Sequence, residues 1–250
     1  MELWHDAFYR FVRLEDLPTL RAELLERCQS AGLLGTVLLA PEGINGMLAG
    51  TEAQLGKVRD WLEADPRFTA MLYKRTACRT RPFSRLKVKI KREIVPLGLE
   101  GVDATRKTGI NLSPAQWREW IRRDDVVLID NRNSFEFGHG HFKGAIDPQV
   151  GKFRSFAAYF DQHKAEWEGK KVAMYCTGGI RCEKTTAWLA EQGLEVYQLE
   201  GGILNYFAQI PDAEADYEGD CFVFDDRVLL DTRLEEKNRP QGAGLTPSDP

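Results

Sequence analysis

Along its first hundred positions the chain switches between a two-residue and a 3.6-residue apolar spacing, and the switches predict its elements. Residues 7–14 (AFYRFVRL) read as a strand, and 16–32 are amphipathic, with leucines at helical spacing and Gly32 as a stop. Residues 35–41 are almost wholly apolar and suit a buried strand, and 43–50 follow a tight turn at Pro41-Glu42-Gly43. Thr51 is placed to cap a helix running to Leu62, which Pro66 closes. Over 85–96 the alternation is strict: Leu86, Val88 and Ile90 share one face, Lys87, Lys89 and Lys91 the other. That is the signature of a half-exposed strand. Together the pieces read βαββαβ and predict a ferredoxin-like α+β domain over residues 1–96.

Residues 97–112 carry Gly98, Gly101 and Gly109 with little apolar periodicity, and read as a linker. Ser113-Pro114 then supplies a helix cap followed by proline at the first helical position. After that helix come an apolar strand ending in Asp (125–130), a helix (153–166), a strand (171–175), a helix after Cys182, a strand (195–199) and a segment at 201–210. Alternating strands and helices predict a parallel α/β domain over 113–210, covered on both faces. Residues 211–250 hold 11 acidic and 4 basic residues and read as a C-terminal extension. Within it, 221–230 is expected to pack on the body and the last dozen residues to be disordered.

The overall length of 250 residues accommodates two domains. No apolar run approaches the roughly 20 residues that span a bilayer, and the N-terminus lacks the pattern of a secretory signal. Five scattered cysteines do not form a disulfide framework. A cytoplasmic setting and no membrane partner are therefore expected. The net charge of −4 hides an asymmetry. The first 96 residues carry 16 Lys+Arg against 12 Asp+Glu, and the remainder 18 against 26. Such a split implies different partners for the two parts.

The chemistry concentrates in "YCTGGIRCEK" (175–184), a strand end, a glycine-bearing loop and a helix start. Backbone N–H groups of the loop and the helix dipole converge there, and Arg181 adds a full charge. A thiol at Cys176 in that field has a lowered pKa and is largely thiolate. Zinc binding would want a shorter cysteine spacing and a second ligand pair. A phosphatase loop needs five residues between Cys and Arg, whereas Cys176 and Arg181 enclose four: Thr177, Gly178, Gly179 and Ile180. A buried structural cysteine is the bland reading, and it suits Cys182 better than Cys176. The functional alternative makes Cys182 a resolving thiol. His139 and His141 read as structural, since no further metal ligands accompany them.

The segments "LIDNRNSFEFGHGHFKGAID" (128–147), "YCTGGIRCEK" and "LEGGI" (199–203), in that order, resemble the rhodanese family. Asp130, Arg132 and His141 fall on its recurrent positions. The resemblance implies a reactive sulfur on Cys176, with those three residues ordering the surroundings. Thr177 is neutral where many sulfurtransferases place a charged residue.

Upstream, nine cations occur without an acid: Lys74, Arg75, Arg79, Arg81, Arg85, Lys87, Lys89, Lys91 and Arg92. With Tyr73 and Phe83 interleaved, they form a candidate RNA-binding surface, although a lysine-bearing strand can also be a solvated sheet edge. "VLLAPEGINGMLAGT" (37–51), "RLKVKIKREIVPLG" (85–98), the rhodanese segments and "CFVFDDRV" (221–228) together are similar to the bacterial rhodanese-domain tRNA uridine hydroxylases. This resemblance implies oxygen-dependent 5-hydroxylation of the wobble uridine, with tRNA bound through its anticodon region. No flavin, NAD or metal signature is evident, so the cofactor is left unassigned and molecular oxygen is the expected co-substrate. A thiosulfate or persulfide sulfurtransferase and a non-catalytic RNA-binding module are the competing functions.

Overall fold

The computed structural model describes residues 2–237. The N-terminal part contains β1 (Leu3–Phe11), α1 (Leu17–Ala31), β2 (Leu34–Ala40), β3 (Gly43–Gly50), α2 (Glu52–Glu63), β4 (Lys74–Cys78) and β5 (Leu86–Ile90). Thr51 caps α2 as expected. Its side chain accepts from the Gln54 amide while the Gln54 side chain accepts from the Thr51 amide, a reciprocal capping box. The sheet order is β4-β1-β3-β2-β5. Its first four strands are the ferredoxin-like arrangement, antiparallel throughout.

The lysine-rich strand expected to close that motif does not do so. β5 covers only five residues and is appended parallel to β2 at the opposite edge. The closing strand is β4, which pairs with β1. Its buried positions are Lys74 and Thr76, so the two-residue period is present but carried by polar side chains. A hydrophobic pattern cannot reveal such a strand.

The second part contains β6 (Ile110–Leu112), α3 (Pro114–Trp120), β7 (Val126–Asp130), α4 (Ser134–His139), β8 (Gly140–Phe142), α5 (Phe156–His163), β9 (Lys171–Tyr175), α6 (Ile180–Glu191), β10 (Val196–Leu199) and α7 (Gly202–Gln209). β6, β10, β9 and β7 form a parallel sheet in that order. Ser113 caps α3 through a second reciprocal box, with Pro114 in its first turn. The single helix expected at 153–166 is α5 flanked by two short 3-10 turns. Residues 97–112, expected to link the halves, are packed. Leu97 and Ala104 are buried, Gly109 donates to Thr186 Oγ1 at 2.9 Å, and β6 is an edge strand of the parallel sheet.

One apolar core runs through both halves, joining Phe11, Ala40 and Ile94 to Phe156, Met174 and Cys176. A buried ionic contact crosses the same boundary. Lys184 Nζ donates to Glu42 Oε1 and Oε2 at 2.9 and 2.8 Å, to Glu93 Oε2 at 2.5 Å and to the Val95 carbonyl at 3.1 Å.

The extension holds β11 (Tyr217–Gly219), paired with β8, and the two-residue strands β12 (Cys221–Phe222) and β13 (Leu229–Leu230), paired with each other. It returns to the first sheet. Arg227 donates to Thr76 Oγ1 at 2.6 Å and is held by Asp225, which lies 3.5 Å from His5 Nε2. Glu236 accepts from the Arg79 amide at 2.7 Å, and the Asp226 amide donates to the Pro82 carbonyl. The expectation of disorder over the last dozen residues falls outside the described residues.

Candidate active site at the loop after strand β9

The strand β9 ends at Tyr175, and the chain turns through Cys176–Gly179 into α6. Gly179 sits at φ 96°, a conformation that favours glycine. There its amide donates to Cys176 Sγ at 3.1 Å. Gly202 is required for a different reason. A Cβ there would come within 2.4 Å of the Cys176 carbonyl and 2.7 Å of the Gly179 nitrogen. That close approach lets the first amides of α7 cap the loop, Ile203 N to Cys176 O at 3.0 Å and Leu204 N to Thr177 O at 3.1 Å.

Cys176 is fully buried. Burial alone would raise its pKa, but a hydrogen bond from the Cys182 thiol, the Arg181 charge and the amides of Cys182 and Arg181 outweigh it. The thiol is lowered to about 5, as the loop-and-helix field requires. Burial and the adjacent Cys176 sulfur push Cys182 the other way, well above the usual thiol range. It is a proton-bearing donor to Cys176, also facing Asn131, whose Nδ2 bonds Thr185 Oγ1 at 2.8 Å.

Arg181 does not stand alone. Its two terminal nitrogens donate to the two carboxylate oxygens of Glu136 at 2.6 and 2.8 Å, a buried bidentate pair. Thr177 Oγ1 bridges the two at 3.4 Å from each. Burial would raise the Glu136 pKa, but the Arg181 charge and hydrogen bonds hold it below the ordinary value. Sequence reasoning missed Glu136. Its only signal is its place as the third residue of α4, where it accepts from the Asn133 amide.

Asp130 and Arg132 form a wholly buried ion pair of 2.6 Å at the end of β7, and Arg132 also donates to the Gly140 carbonyl at 2.6 Å. They tie the parallel sheet to the turn after α4, the helix that carries Glu136. His141 stacks on Phe137 with ring centroids 3.8 Å apart.

The first sheet also reaches the loop. Tyr9 Oη donates to Glu183 Oε2 at 2.7 Å, and a Cβ on Gly179 would meet Tyr9 Oη at 2.9 Å. Lys74, only 6% exposed, donates to the Gly178 carbonyl at 2.9 Å and lies 4.5 Å over the Tyr9 ring. The basic run therefore divides three ways. Lys74 is buried against the loop after β9. Arg75 is paired with Asp6 at 2.8 Å and with Glu52, and Arg79 with Glu235 at 2.6 Å. Arg81, Arg85, Lys91 and Arg92 are exposed, with Lys87 and Lys89 half-buried on β5.

A separate cleft of about 240 Å³ opens beside α6, lined by Arg10, Thr105, Arg106, Lys107, Thr108 and Glu183 among others. Sequence reading passed over its cations because Arg10 lies far from Arg106 and Lys107 in the chain. Among the described residues, no group of three or more His, Cys, Asp or Glu is placed to hold a metal ion, and no helix is long and apolar enough to cross a membrane.

Residues 5–94 match the UPF0176 acylphosphatase like domain, and residues 113–209 match the rhodanese-like domain. A Legionella pneumophila (strain Paris) protein named tRNA uridine(34) hydroxylase is 45% identical over 230 residues, covering 92% of this chain and 91% of that protein. Proteins of the same name from Mesorhizobium japonicum and Agrobacterium fabrum are 45% and 47% identical over 231 residues, covering 92% of this chain and 75% and 74% of theirs. On identity sustained across both halves, the chain belongs to the tRNA uridine(34) hydroxylase family.

Proposed function

We propose that this protein hydroxylates uridine 34, the wobble position of tRNA, at C5, with Cys176 as the reactive group and oxygen as co-substrate. The observation that carries the reading is a buried thiolate, lowered to about 5, at a loop that both halves of the chain touch. Uracil is an enone across C4, C5 and C6. Addition of the Cys176 thiolate to C6 places the electron pair at C5 and O4, as an enolate whose C5 is nucleophilic. C5 then bonds one atom of O2, and two electrons from the reductant with protons cleave the O–O bond and release the other atom as water. Loss of the C5 proton and departure of the thiolate from C6 restore the ring and the free cysteine. The net change is uridine plus O2, two electrons and two protons giving 5-hydroxyuridine and water, so an external two-electron reductant is required.

The groups of the loop suit those steps. The amides of Gly179, Arg181 and Cys182 hold the sulfur anionic before addition and after release. Cys182, kept protonated, is a hydrogen-bond donor whose proton stays put at neutral pH. Because Cys176 is enclosed, the packing around it must open to admit the uracil. For the tRNA surface we assign the exposed cations Arg81, Arg85, Lys91 and Arg92 and the cleft cations Arg10, Arg106 and Lys107, which can track a phosphate backbone.

Replacing Cys176 by Ser tests the reading. Nucleoside mass spectrometry of tRNA from cells carrying only that variant should show loss of 5-hydroxyuridine to the level of cells lacking the protein. Undiminished modification would remove Cys176 as the reactive group. A thiosulfate:cyanide assay on the same protein separates this reading from sulfur transfer, which would leave tRNA unchanged.

A further inference from the structure

The buried lysine of the first sheet is unexplained by RNA contact, since it does not reach the surface. We propose that Lys74 is a positioning residue of the active site, contributed by the N-terminal sheet to fix the catalytic loop and hold Cys176 as a thiolate. The proposal deepens the assignment of Cys176 as the reactive sulfur and rests on it.

Three observations carry the proposal. First, the ammonium donates to the carbonyl of Gly178, which lies in the loop between Cys176 and the amide of Gly179 that bonds the sulfur. Anchoring that carbonyl fixes the orientation of the Gly178–Gly179 peptide and so aims its N–H at Sγ. Second, Arg181, whose charge also lowers the thiol, is shared with Glu136 in a bidentate pair. The hydrogen bond of Lys74 goes instead to a neutral carbonyl, and its cation is held over the Tyr9 ring. Third, the location is costly for a cation. Burial lowers the Lys74 pKa to about 8, and the Cys176 and Glu183 charges are what oppose that fall. A lysine kept charged in such a place by a neighbouring thiolate stabilises that thiolate in return.

The groups facing the sulfur from the packed elements are Lys74 on β4, Tyr9 on β1, Glu136 on α4, and Arg181, Cys182 and Glu183 on α6. Tyr9 is bonded to Glu183, Cys182 stays a thiol, and Glu136 shares the Arg181 charge with the sulfur. Removing Lys74 therefore takes away a cation whose hydrogen bond is to a neutral carbonyl rather than to a carboxylate.

The test follows thiolate ultraviolet absorbance against pH in the full-length protein, with the Cys176→Ser protein as the subtracted blank. The other cysteines do not interfere near neutrality, because Cys28, Cys78, Cys182 and Cys221 are all pushed up. In Lys74→Met the midpoint of Cys176, about 5 in the parent, should rise by about one pH unit, through loss of the Coulomb coupling between the two groups and of the anchor on the loop. Lys74→Arg should return it to within about half a unit of the parent. Circular dichroism confirms that each variant is folded, and tRNA affinity should change less than twofold. An unmoved midpoint in Lys74→Met, or a shift that Lys74→Arg fails to reverse, overturns the proposal. Affinity for tRNA falling with the midpoint unchanged would make Lys74 an RNA contact instead. The titration contains no tRNA, so its result stands apart from whether uridine 34 is the substrate.

Discussion

Strands β4 and β5 occupy opposite edges of one sheet and draw their cations from one basic run, yet those cations do different work. On the β4 side they are inward, paired or enclosed: Lys74 on the Gly178 carbonyl, Arg75 on Asp6 and Glu52, Arg79 on Glu235. On the β5 side they lie along the surface, with Lys91 and Arg92 exposed just beyond the strand. A charge near the surface is solvated and screened, so its worth lies in attracting a polyanion. A charge taken inside is worth most where a partner waits for it, and its loss is felt throughout the surrounding structure. Position in the chain therefore does not tell what a lysine does; the edge on which its strand lands does.

The comparison can be broken most severely on the enclosed side. Glu136→Gln leaves the Arg181 charge buried without its carboxylate, and stability should fall by about 3 kcal/mol. The Cys176 midpoint should drop below its value of about 5 in the same protein, because an uncompensated cation now faces the sulfur. Calorimetry together with the thiolate titration reads both, and a rise in the midpoint would contradict the pairing argument.

Next is the response to acid where the extension meets the first sheet. His5 is buried, and desolvation first, then the Arg227 charge, lower its pKa to about 4. Between pH 6.5 and 4 the unfolded chain binds a proton that the folded one does not, so stability falls as the pH falls through that window. The loss should reach about 3 kcal/mol near pH 4. His5→Gln should flatten this part of the stability profile in urea titrations at stepped pH; an identical profile would place the acid sensitivity elsewhere.

The smallest effect belongs to the exposed side. The double variant Lys91→Ala, Arg92→Ala should alter stability by no more than about 0.5 kcal/mol. Its tRNA affinity should become less dependent on salt, the slope of log K against log salt falling by about one to two. Unchanged salt dependence would take these cations out of the tRNA surface.

Much of the fold was legible where burial and apolarity coincide. The runs at 35–41 and 125–130 and the caps at Thr51 and Ser113 read directly, because each local preference agrees with the final packing. β4 was hidden because its inward positions are Lys74 and Thr76, polar residues whose partners are the Gly178 carbonyl and Arg227. The packing of 97–112 was hidden as well, since Leu97 and Ala104 enter the shared core singly, without a period. At the site, the spacing of Cys176 and Arg181 announced a sulfur cradle. Glu136 and Lys74 could not be placed, because their roles arise from contacts 45 and 104 residues apart in the chain.

The return of the extension to the first sheet bears on how the molecule is assembled. β4 is an edge strand, and such edges invite pairing with other chains unless something covers them. The extension reaches this strand and the turn after it from more than 140 residues downstream, by Arg227 on the Thr76 side chain and by Glu236 at the Arg79 amide. A chain cut before Asp225 would lose these contacts, and its first sheet would be held less firmly against pairing with other chains. The same contacts mean that neither half is a ready-made unit to be cut out. The early sheet is bonded by the late segment, and the late loop is bonded by a lysine from the early sheet.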